Sequence, residues 1–266
     1  MKMYFKYLRH QMKSSLQYRA ATFMNMFVSS LAVVSMLFSF ILIFSKFDTV
    51  AGYTLSDVLV TFSVSTMVYA LAEFLFRGFD HFDDLILKGN LDVLLLRPRS
   101  IVLQVLGQKI EFGKLGRVIL SLVILIVVVL TGSINWTFLK LLTLVLMIAS
   151  GVVIFFGVFL LSSAFTVFTV SANEVVNIFT HGGQELTTYP LDIYAKPFKI
   201  FFTFIVPFAT FNYLPLQFIL SNATANSWLY MISPIIGILF VIPCYFVFKW
   251  ALTKYSSTGT WLILIN

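Results

Sequence analysis

The polar residues that can do chemistry in this apolar chain are concentrated between positions 174 and 185. They are Glu174, Asn177, His181, Gln184 and Glu185. At helical spacing the first four share one stripe, and Glu185 lies beside it. A carboxylate at the centre of a bilayer costs about 2.5 to 3.5 kcal/mol on insertion scales, so this stripe would face a water-filled path or a partner surface rather than lipid. In the alternative interpretation these groups lie in an external loop and Glu174 in an inner loop.

Residues for covalent or hydrolytic catalysis do not form a recognisable cluster. The three histidines are scattered without an HExxH pair, and the single cysteine, Cys244, has no partner for an intrachain disulfide. The segment GQKIEFGK at 107–114 is superficially like a phosphate loop, but five residues separate its glycines and Leu115 replaces the Ser or Thr that would hold magnesium. We therefore predict a non-catalytic chain that takes any energy of ATP hydrolysis from another polypeptide.

The composition indicates an integral membrane protein. Hydrophobic residues make up 59% of the 266 positions and charged residues only 11%, against roughly 25% charged in a soluble domain. The net charge of +7 is unevenly placed: five of the 18 basic residues precede the first apolar run, seven lie in 77–117, and two follow the last run. By the positive-inside rule both termini and the central loop are cytosolic, which favours an even number of crossings and argues against nucleic acid as a partner.

Apolar runs and their charged boundaries predict six spans in a transmembrane domain of residues 20–266. They are about 21–45, 56–76, 118–133, 138–168, 172–188 and 228–250. Residues 141–173 carry no charge, which is too long a stretch for one straight crossing. The fourth span therefore tilts and projects into the cytosol, or breaks near Gly151 or near Ser162; we favour one long helix that ends near 171–173. Four prolines in 190–220 predict a re-entrant pair of short helices that enters from the outer face.

Residues 1–19 predict an amphipathic helix that lies along the inner leaflet. Lys2, Lys6, Arg9 and Lys13 recur at spacings of four, three and four, and apolar side chains follow the same rhythm on an adjoining face. An ordinary basic tail next to the membrane is the alternative. In the first interpretation, membrane lipid is itself a partner of this chain.

The cytosolic loop 77–117 contains the other functional candidate. Asp80 can cap a short helix whose early turns hold Asp83 and Asp84, and Gly89 can end that helix in a left-handed conformation. Phe82 and its apolar neighbours provide one side that lipid, a neighbouring span or a partner protein can cover.

Two stretches give these features a family resemblance. GNLDVLLLRP at 89–98 resembles the G-x-L-D-x-x-L-x-R-P run of the six-span ABC-2 type permeases, in the branch that includes daunorubicin-resistance permeases. The proline-rich stretch 189–215 resembles the same branch's segment before the last span. The order of interfacial helix, spans, cytosolic helix and re-entrant hairpin is also similar over the whole chain.

The resemblance implies an all-α integral membrane protein with the ABC-2, or type V exporter, fold. It implies two permeases, identical or paralogous, each docked on one of two ABC ATPase subunits that bind ATP and Mg²⁺, in the plasma membrane of a bacterium. A cytosolic coupling helix at 80–88 would contact the ATPase. Its expected contact residues are Asp80, Phe82, Asp83, Asp84, Leu85 and Leu87.

The resemblance also implies that the second and fifth spans border the translocation path. The expected path residues are Tyr69, Glu73, Asn177, His181, Gln184 and Glu185. The cargo would be amphiphilic, such as a drug in multidrug efflux, a peptide antibiotic or a lipid-like compound. The alternative function is a proton-coupled secondary transporter that uses Glu174, His181 and Glu185 as a relay, although the chain has no convincing internal repeat.

Overall fold

The computed structural model describes residues 2–132, 134–169, 173–220 and 227–256, and every regular element in these ranges is helical. The all-α prediction is confirmed. The α-helices are α1 (Lys2–Gln17), α2 (Arg19–Phe44), α3 (Leu55–Asp80), α4 (Phe82–Leu87), α5 (Asn90–Leu95), α6 (Ile101–Leu106), α7 (Leu115–Thr131), α8 (Phe138–Thr169), α9 (Asn173–Thr188), α10 (Lys196–Phe204), α11 (Phe208–Phe211), α12 (Tyr213–Ile219), α13 (Ser227–Ile238) and α14 (Val241–Thr253).

Five stretches of the described chain are long and apolar enough to cross a membrane. They are Arg19–Phe44, Leu55–Leu87, Phe112–Thr131, Phe138–Thr169 and Trp228–Thr253. A bent helix pair, Lys196–Phe204 with Phe208–Ile219, makes a sixth if it is counted as one span. The predicted fifth span, 172–188, is not among them: α9 has 16 residues and rises about 24 Å, against a hydrocarbon thickness near 30 Å.

Helix α3 lies at the centre of the bundle. It packs against α7 on one side and α8 on the other, and α9 covers part of a third side. Its buried face carries hydroxyl residues as well as apolar ones, and Ser63 satisfies its hydroxyl within the helix by donating to the carbonyl of Val60. A capping box fixes the start of α3 at Leu55: the Thr54 and Asp57 side chains each accept a hydrogen bond from the other residue's backbone N–H group. A displacement of α3 therefore reaches most of the molecule.

Helix α8 is one uninterrupted helix of 32 residues. Neither break considered from the sequence, near Gly151 or near Ser162, occurs. Gly151 instead allows close packing, because a Cβ there would come within 2.7 Å of side-chain atoms of Val68 and Phe211. The predicted turn after the helix, 171–173, falls mostly outside the described residues, and α9 begins at Asn173.

Helices α10 and α11–α12 meet at 79° around Pro207. Asp192, which precedes α10, accepts hydrogen bonds from Lys199 of α10 at 2.5 Å and from Tyr213 of α12 at 2.8 Å. Lys199 and Tyr213 of the two arms therefore lie at the same level, and whether this bent pair is re-entrant stays a prediction. The last span bends as well: Pro243 has no N–H to donate to the carbonyl of Leu239, and the helix is interrupted there between α13 and α14.

The C-terminal end of α3 differs from the sequence prediction that Asp80 caps a short helix. The helix continues through Arg77 to Asp80, so Asp80 does not cap the following short helix, and His81 separates the two. The Asp80 carboxylate bonds Arg77 one turn back instead. Gly89 follows α4 with φ +66°, which confirms the predicted left-handed conformation.

Candidate functional site

The most polar site of the described chain is an ionic cluster at the C-terminal end of α3. Glu73 has no exposed side-chain surface, and three cations surround it. Arg77 and Lys114 lie 3.2 and 2.8 Å from its Oε1, and Arg117 donates to Oε2 at 3.1 Å. Arg77 also binds Asp80, and its Nε lies 2.7 Å from Glu111. We call the six residues Glu73, Arg77, Asp80, Glu111, Lys114 and Arg117 the Glu73 network.

Helical spacing on two segments builds this network. Glu73, Arg77 and Asp80 follow one face of α3 at i, i+4 and i+7. The other three recur every third residue through the 3₁₀ turn Phe112–Lys114 into the start of α7. Three positive and three negative groups balance, so none is left as an uncompensated charge away from water. The network ties together the two ends of the loop 77–117.

The loop between those ends is a folded platform. Gly78 of α3 allows α6 to approach so closely that a Cβ there would meet the carbonyl oxygen of Val105 at 2.0 Å. Gln104 of α6 is buried, and its amide donates to the carbonyls of Leu94 and Arg99 at 3.1 and 3.2 Å. Three short helices are thus held against α3 and against one another.

Asp92, which belongs to the GNLDVLLLRP stretch, connects these short helices to the end of the last helix. Tyr255, just after α14, lies against Asp92 of α5. Burial, together with the Asp92 carboxylate, raises the pKa of the Tyr255 hydroxyl to about 12.

The predicted coupling residues separate into buried and exposed groups. Phe82 and Leu85 are 1% and 8% exposed, so their side chains are covered within this chain. Their side chains belong to the core of this chain: the Phe82 ring packs edge-on to Phe248 at 5.6 Å between centroids. Leu87 is 57% exposed. Asp83 and Asp84 are partly exposed, and Asp84 pairs with Lys88 at 2.9 Å.

Sequence reasoning missed a set of exposed apolar side chains on the next short helix. They are Val93, Leu95 and Leu96, which are 50%, 42% and 85% exposed. With Leu87 they give α4 and α5 an apolar surface without a cover in the described chain. Their position in the LDVLLLRP run could have drawn attention to them, since three consecutive leucines cannot all face the same buried side of one short helix.

Two of the predicted path residues contact each other. The Tyr69 hydroxyl and His181 Nδ1 share a hydrogen bond of 3.0 Å between α3 and α9. Tyr69 is fully buried, with Phe155 at 5.1 Å between ring centroids. Asn177 and Glu185 are exposed, and Gln184 is half-buried.

Glu73, the remaining path candidate, lies one turn further in than Tyr69. In the described structure it is enclosed by its three cations, and its assignment to the path stays a prediction. The side chain of Glu174 is outside the described part of the chain, so the proposed relay of Glu174, His181 and Glu185 remains a sequence hypothesis.

A second polar cluster lies at the opposite end of the bundle. Besides Lys199 and Tyr213, Asp192 accepts from the Tyr53 hydroxyl at 2.5 Å, and Gln217 donates to that hydroxyl at 2.7 Å. Burial of Asp192 works to raise its carboxyl pKa, but the hydrogen bonds from Lys199, Tyr53 and Tyr213 outweigh it and hold the pKa below its usual value. The cluster joins the turn after α2 to both arms of the hairpin.

An apolar cavity of about 330 Å³ lies beside the tip of the hairpin. Its walls include Val158 and Phe165 of α8, Phe179 of α9 and Phe201 of α10, and Ile205 and Val206 come from the tip. Ser162 supplies its polar contact. Such a lining suits hydrocarbon or aromatic groups rather than ions. Within the described residues no three His, Cys, Asp or Glu side chains are grouped to hold a metal ion.

Comparison with known proteins gives one match, which covers most of the chain. The family model described as "ABC-2 family transporter protein" matches residues 30–259, from within α2 to just beyond α14. No curated protein and no solved structure matches the chain significantly.

Proposed function

The chain belongs to the ABC-2 transporter family, and from that premise we propose that it is the permease subunit of an exporter driven by a separate ATPase chain. The match makes it a multi-pass membrane component of a transporter. Our proposal adds that it lies in a bacterial plasma membrane with both termini in the cytosol. It pairs with a second permease, identical or paralogous, and each permease carries one ATPase subunit that binds ATP and Mg²⁺.

The Glu73 network is the observation that carries this proposal. A motor on another chain can move a permease only if the loop it pushes is rigid and firmly attached. The network fixes the loop at both ends, because Glu73 of α3 binds Lys114 and Arg117 beyond it. The contacts of Gly78 and Gln104 stiffen the loop between. A force on α4 or α5 is therefore passed to α3 instead of being absorbed.

The exposed apolar surface of α4 and α5 is our candidate docking site for the ATPase. It consists of Leu87, Val93, Leu95 and Leu96, with the partly exposed Asp83 and Asp84 at one side. An apolar centre with a polar rim is the usual anatomy of a protein interface. Phe82 and Leu85 support this surface from below and have no direct contact role.

Transmission from the loop to the path follows α3. Glu73 and Tyr69 are four residues apart on this helix, or about 6 Å along its axis. A shift of α3 changes the contact of Tyr69 with His181, and with it the contact between α3 and α9. The apolar cavity beside the hairpin tip supports an amphiphilic cargo, of which it would hold the hydrocarbon or aromatic part.

Affinity purification of the full chain with a co-expressed candidate ATPase tests the proposal. We expect stoichiometric recovery of the ATPase with the wild-type chain. In the double variant Leu87→Asp and Leu96→Asp recovery should fall at least about tenfold, because replacing two hot-spot side chains at an interface costs more than about 1.4 kcal/mol of binding free energy. Phe47→Asp is the matched control, since Phe47 is 60% exposed but lies beyond the far end of α2.

Two results would oppose the proposal. Equal recovery with the double variant would remove α4 and α5 as the docking site. Transport that persists in vesicles without any ATPase and collapses when the proton gradient is dissipated would favour the proton-coupled alternative.

A further inference from the structure

Ser162 differs from the other hydroxyl residues of helix α8. Each of the others donates a hydrogen bond to a carbonyl three or four residues back, which is how hydroxyl groups are usually satisfied in an apolar helix. They are Thr143, Ser150, Ser163, Thr166 and Thr169. The Ser162 hydroxyl has no hydrogen-bond partner among the residues that the structure describes, although Ser162 is only 7% exposed. A buried hydroxyl without a partner is costly and requires an explanation.

The Ser162 side chain lines the apolar cavity of about 330 Å³. On its side of the cavity the wall is buried, with Val158 of α8 and Val206 at the bend after α10. On the other side Phe165 and Ile205 are exposed, so the cavity is open there. Among the described residues that line it, Ser162 alone has a polar side chain. The cavity therefore presents one unpaired hydroxyl to whatever enters it.

The rest of the lining suits aromatic rings. Phe165, Phe179 and Phe201 come from three different helices, and the last two lie 6.4 Å apart between ring centroids at an angle of 32°. A further ring gains more from such neighbours than a saturated chain does, because aromatic pairs attract beyond their buried area. The volume is roughly twice the 150 Å³ of an engineered cavity that binds one benzene, so it suits two linked rings.

We propose that this cavity binds a molecule of two linked aromatic rings with one hydrogen-bond acceptor, and that Ser162 selects the acceptor by donating its hydroxyl to it. The rings lie among the phenylalanines, and the acceptor faces the buried side of the wall. A saturated hydrocarbon chain fits the apolar lining but leaves the hydroxyl unpaired. That the bound molecule is cargo rests on the proposed function, whereas the binding itself rests on the cavity alone.

A bound molecule has a consequence for helix α9. It touches α8, α9 and the bend after α10 at once, and its contact on α9 is Phe179. Two residues further along, His181 shares the hydrogen bond with Tyr69 of α3. Occupancy of the cavity therefore favours one position of α9 against α3. In an exporter this would report the presence of cargo to the central helix.

Photolabelling of the purified full chain with benzophenone tests the site, because this probe has two rings and one carbonyl and attaches to nearby C–H bonds on irradiation. Diphenylmethane has the same shape without the carbonyl, and its affinity is measured by competition at fixed detergent concentration. We expect saturable labelling, mapped by peptide mass spectrometry to 158–165 and 201–206. Ser162→Ala should weaken benzophenone binding about fivefold, as expected for loss of one neutral hydrogen bond, and change diphenylmethane binding less than about twofold.

Ser150→Ala is the matched control, because it removes a buried hydroxyl from the same helix about 18 Å away, where Ser150 donates to the carbonyl of Met147. It should leave the binding of both molecules unchanged. Ser162→Phe places a ring in the cavity and should abolish labelling at this site. Circular dichroism confirms that each variant remains folded.

Three results would overturn the proposal. Equal weakening of both molecules in Ser162→Ala would assign the effect to shape instead of the hydroxyl. Labelling that does not saturate would reduce it to general partition into apolar surroundings, and labelling displaced by added phosphatidylcholine would make an acyl chain the occupant. The assay contains no ATPase, so its outcome is separate from that of the affinity purification that tests the proposed function.

Discussion

Glu73 is a carboxylate without exposed side-chain surface that holds three cations, each only 14% to 16% exposed. Taking such groups from water is costly, and the cost is offset only while every charge keeps its partners. The network is therefore expected to add little to the overall stability of the fold, and its main effect is to fix the position of α7 relative to α3. It requires the start of α7 to meet α3 in one register.

Removal of this carboxylate should destabilise the protein strongly. In Glu73→Gln the cations Arg77, Lys114 and Arg117 keep only Asp80 and Glu111, so we expect a loss of about 3 to 5 kcal/mol. For a chain of this size the melting temperature in detergent should fall by about 6 to 20 °C, measured by tryptophan fluorescence.

Two variants make this prediction specific. Asp48→Asn removes an exposed carboxylate and should leave the melting temperature nearly unchanged. Adding Lys114→Met to Glu73→Gln removes one unpaired cation and should recover part of the loss. A melting temperature equal to that of the wild type in Glu73→Gln would contradict the described network.

The sequence could not reveal the role of a residue whose partners come from a distant segment of the chain. The partners of Glu73 could not be read from the sequence, because only Arg77 is near it in the chain, while Lys114 and Arg117 come from the far side of the loop. From the sequence, Phe82 and Leu85 could equally lie on an exposed helix face. In the fold both are buried, and Phe248 packs against Phe82. By contrast, the left-handed Gly89 was predictable, since it depends on local backbone sterics alone.

Among the elements, the bent helix pair Lys196–Phe204 and Phe208–Ile219 depends most visibly on one side chain. Asp192 joins Lys199 and Tyr213 of its two arms to Tyr53 in the turn after α2. Tyr53 is itself held by an antiparallel bridge with Val50. The outer ends of three segments are thereby fastened at one point.

We expect the hydrogen bonds to the Asp192 carboxylate to weaken only at strongly acidic pH. Because the folded-state pKa of Asp192 lies below its usual value near 3.9, the contribution is complete at neutral pH and is lost only as pH falls through that lower pKa. We expect amide hydrogen exchange in α12, corrected for the intrinsic effect of pH, to be the same at pH 7 and pH 5. Asp192→Asn should raise this exchange at pH 7 by about fivefold, since a net hydrogen bond is worth about 1 kcal/mol.

Asp57→Asn tests whether that effect is local. It weakens the capping box of α3, one turn from Tyr53, and should leave exchange in α12 unchanged. Exchange in α12 that already rises at pH 6 in the wild type would contradict the low pKa of Asp192.

Elements with strong local signals were predictable, and those set by tertiary contacts were not. The prolines in 190–220 correctly indicated short helices with a sharp bend, because proline ends helices wherever it occurs. Helices α5 and α6 were missed, since each has only six residues and is held by contacts such as that of Gly78 with Val105. The fifth span at 172–188 remains a prediction.

At the scale of the whole molecule, the spans differ greatly in how much protein covers them. In the most apolar window of each span, 78% of Leu55–Leu87 is buried but only 11% of Arg19–Phe44. The second span is therefore the axis of the bundle, and the first lies at its rim. The charge distribution in the sequence could orient this bundle in the membrane but could not rank its spans by burial.

Cysteine labelling in intact cells should establish the proposed orientation. The native Cys244 is buried, so the wild-type chain should stay unlabelled by a membrane-impermeant maleimide. Asp48→Cys should react from outside the cell. Lys88→Cys, at a side chain that is 64% exposed, should react only after the membrane is permeabilised. Labelling of Lys88→Cys in intact cells would place the loop outside and remove the basis for an intracellular motor.

The length of α8 has a consequence for the surrounding lipid. Its 32 residues extend about 48 Å, and even at a tilt of 40° they span about 37 Å, more than the usual 30 Å of hydrocarbon. Phe165 and Phe168 near its inner end remain 43% and 52% exposed, so bilayer hydrocarbon is drawn toward them. A bilayer of longer acyl chains would therefore cover more of α8, including these two rings, than a thin one would.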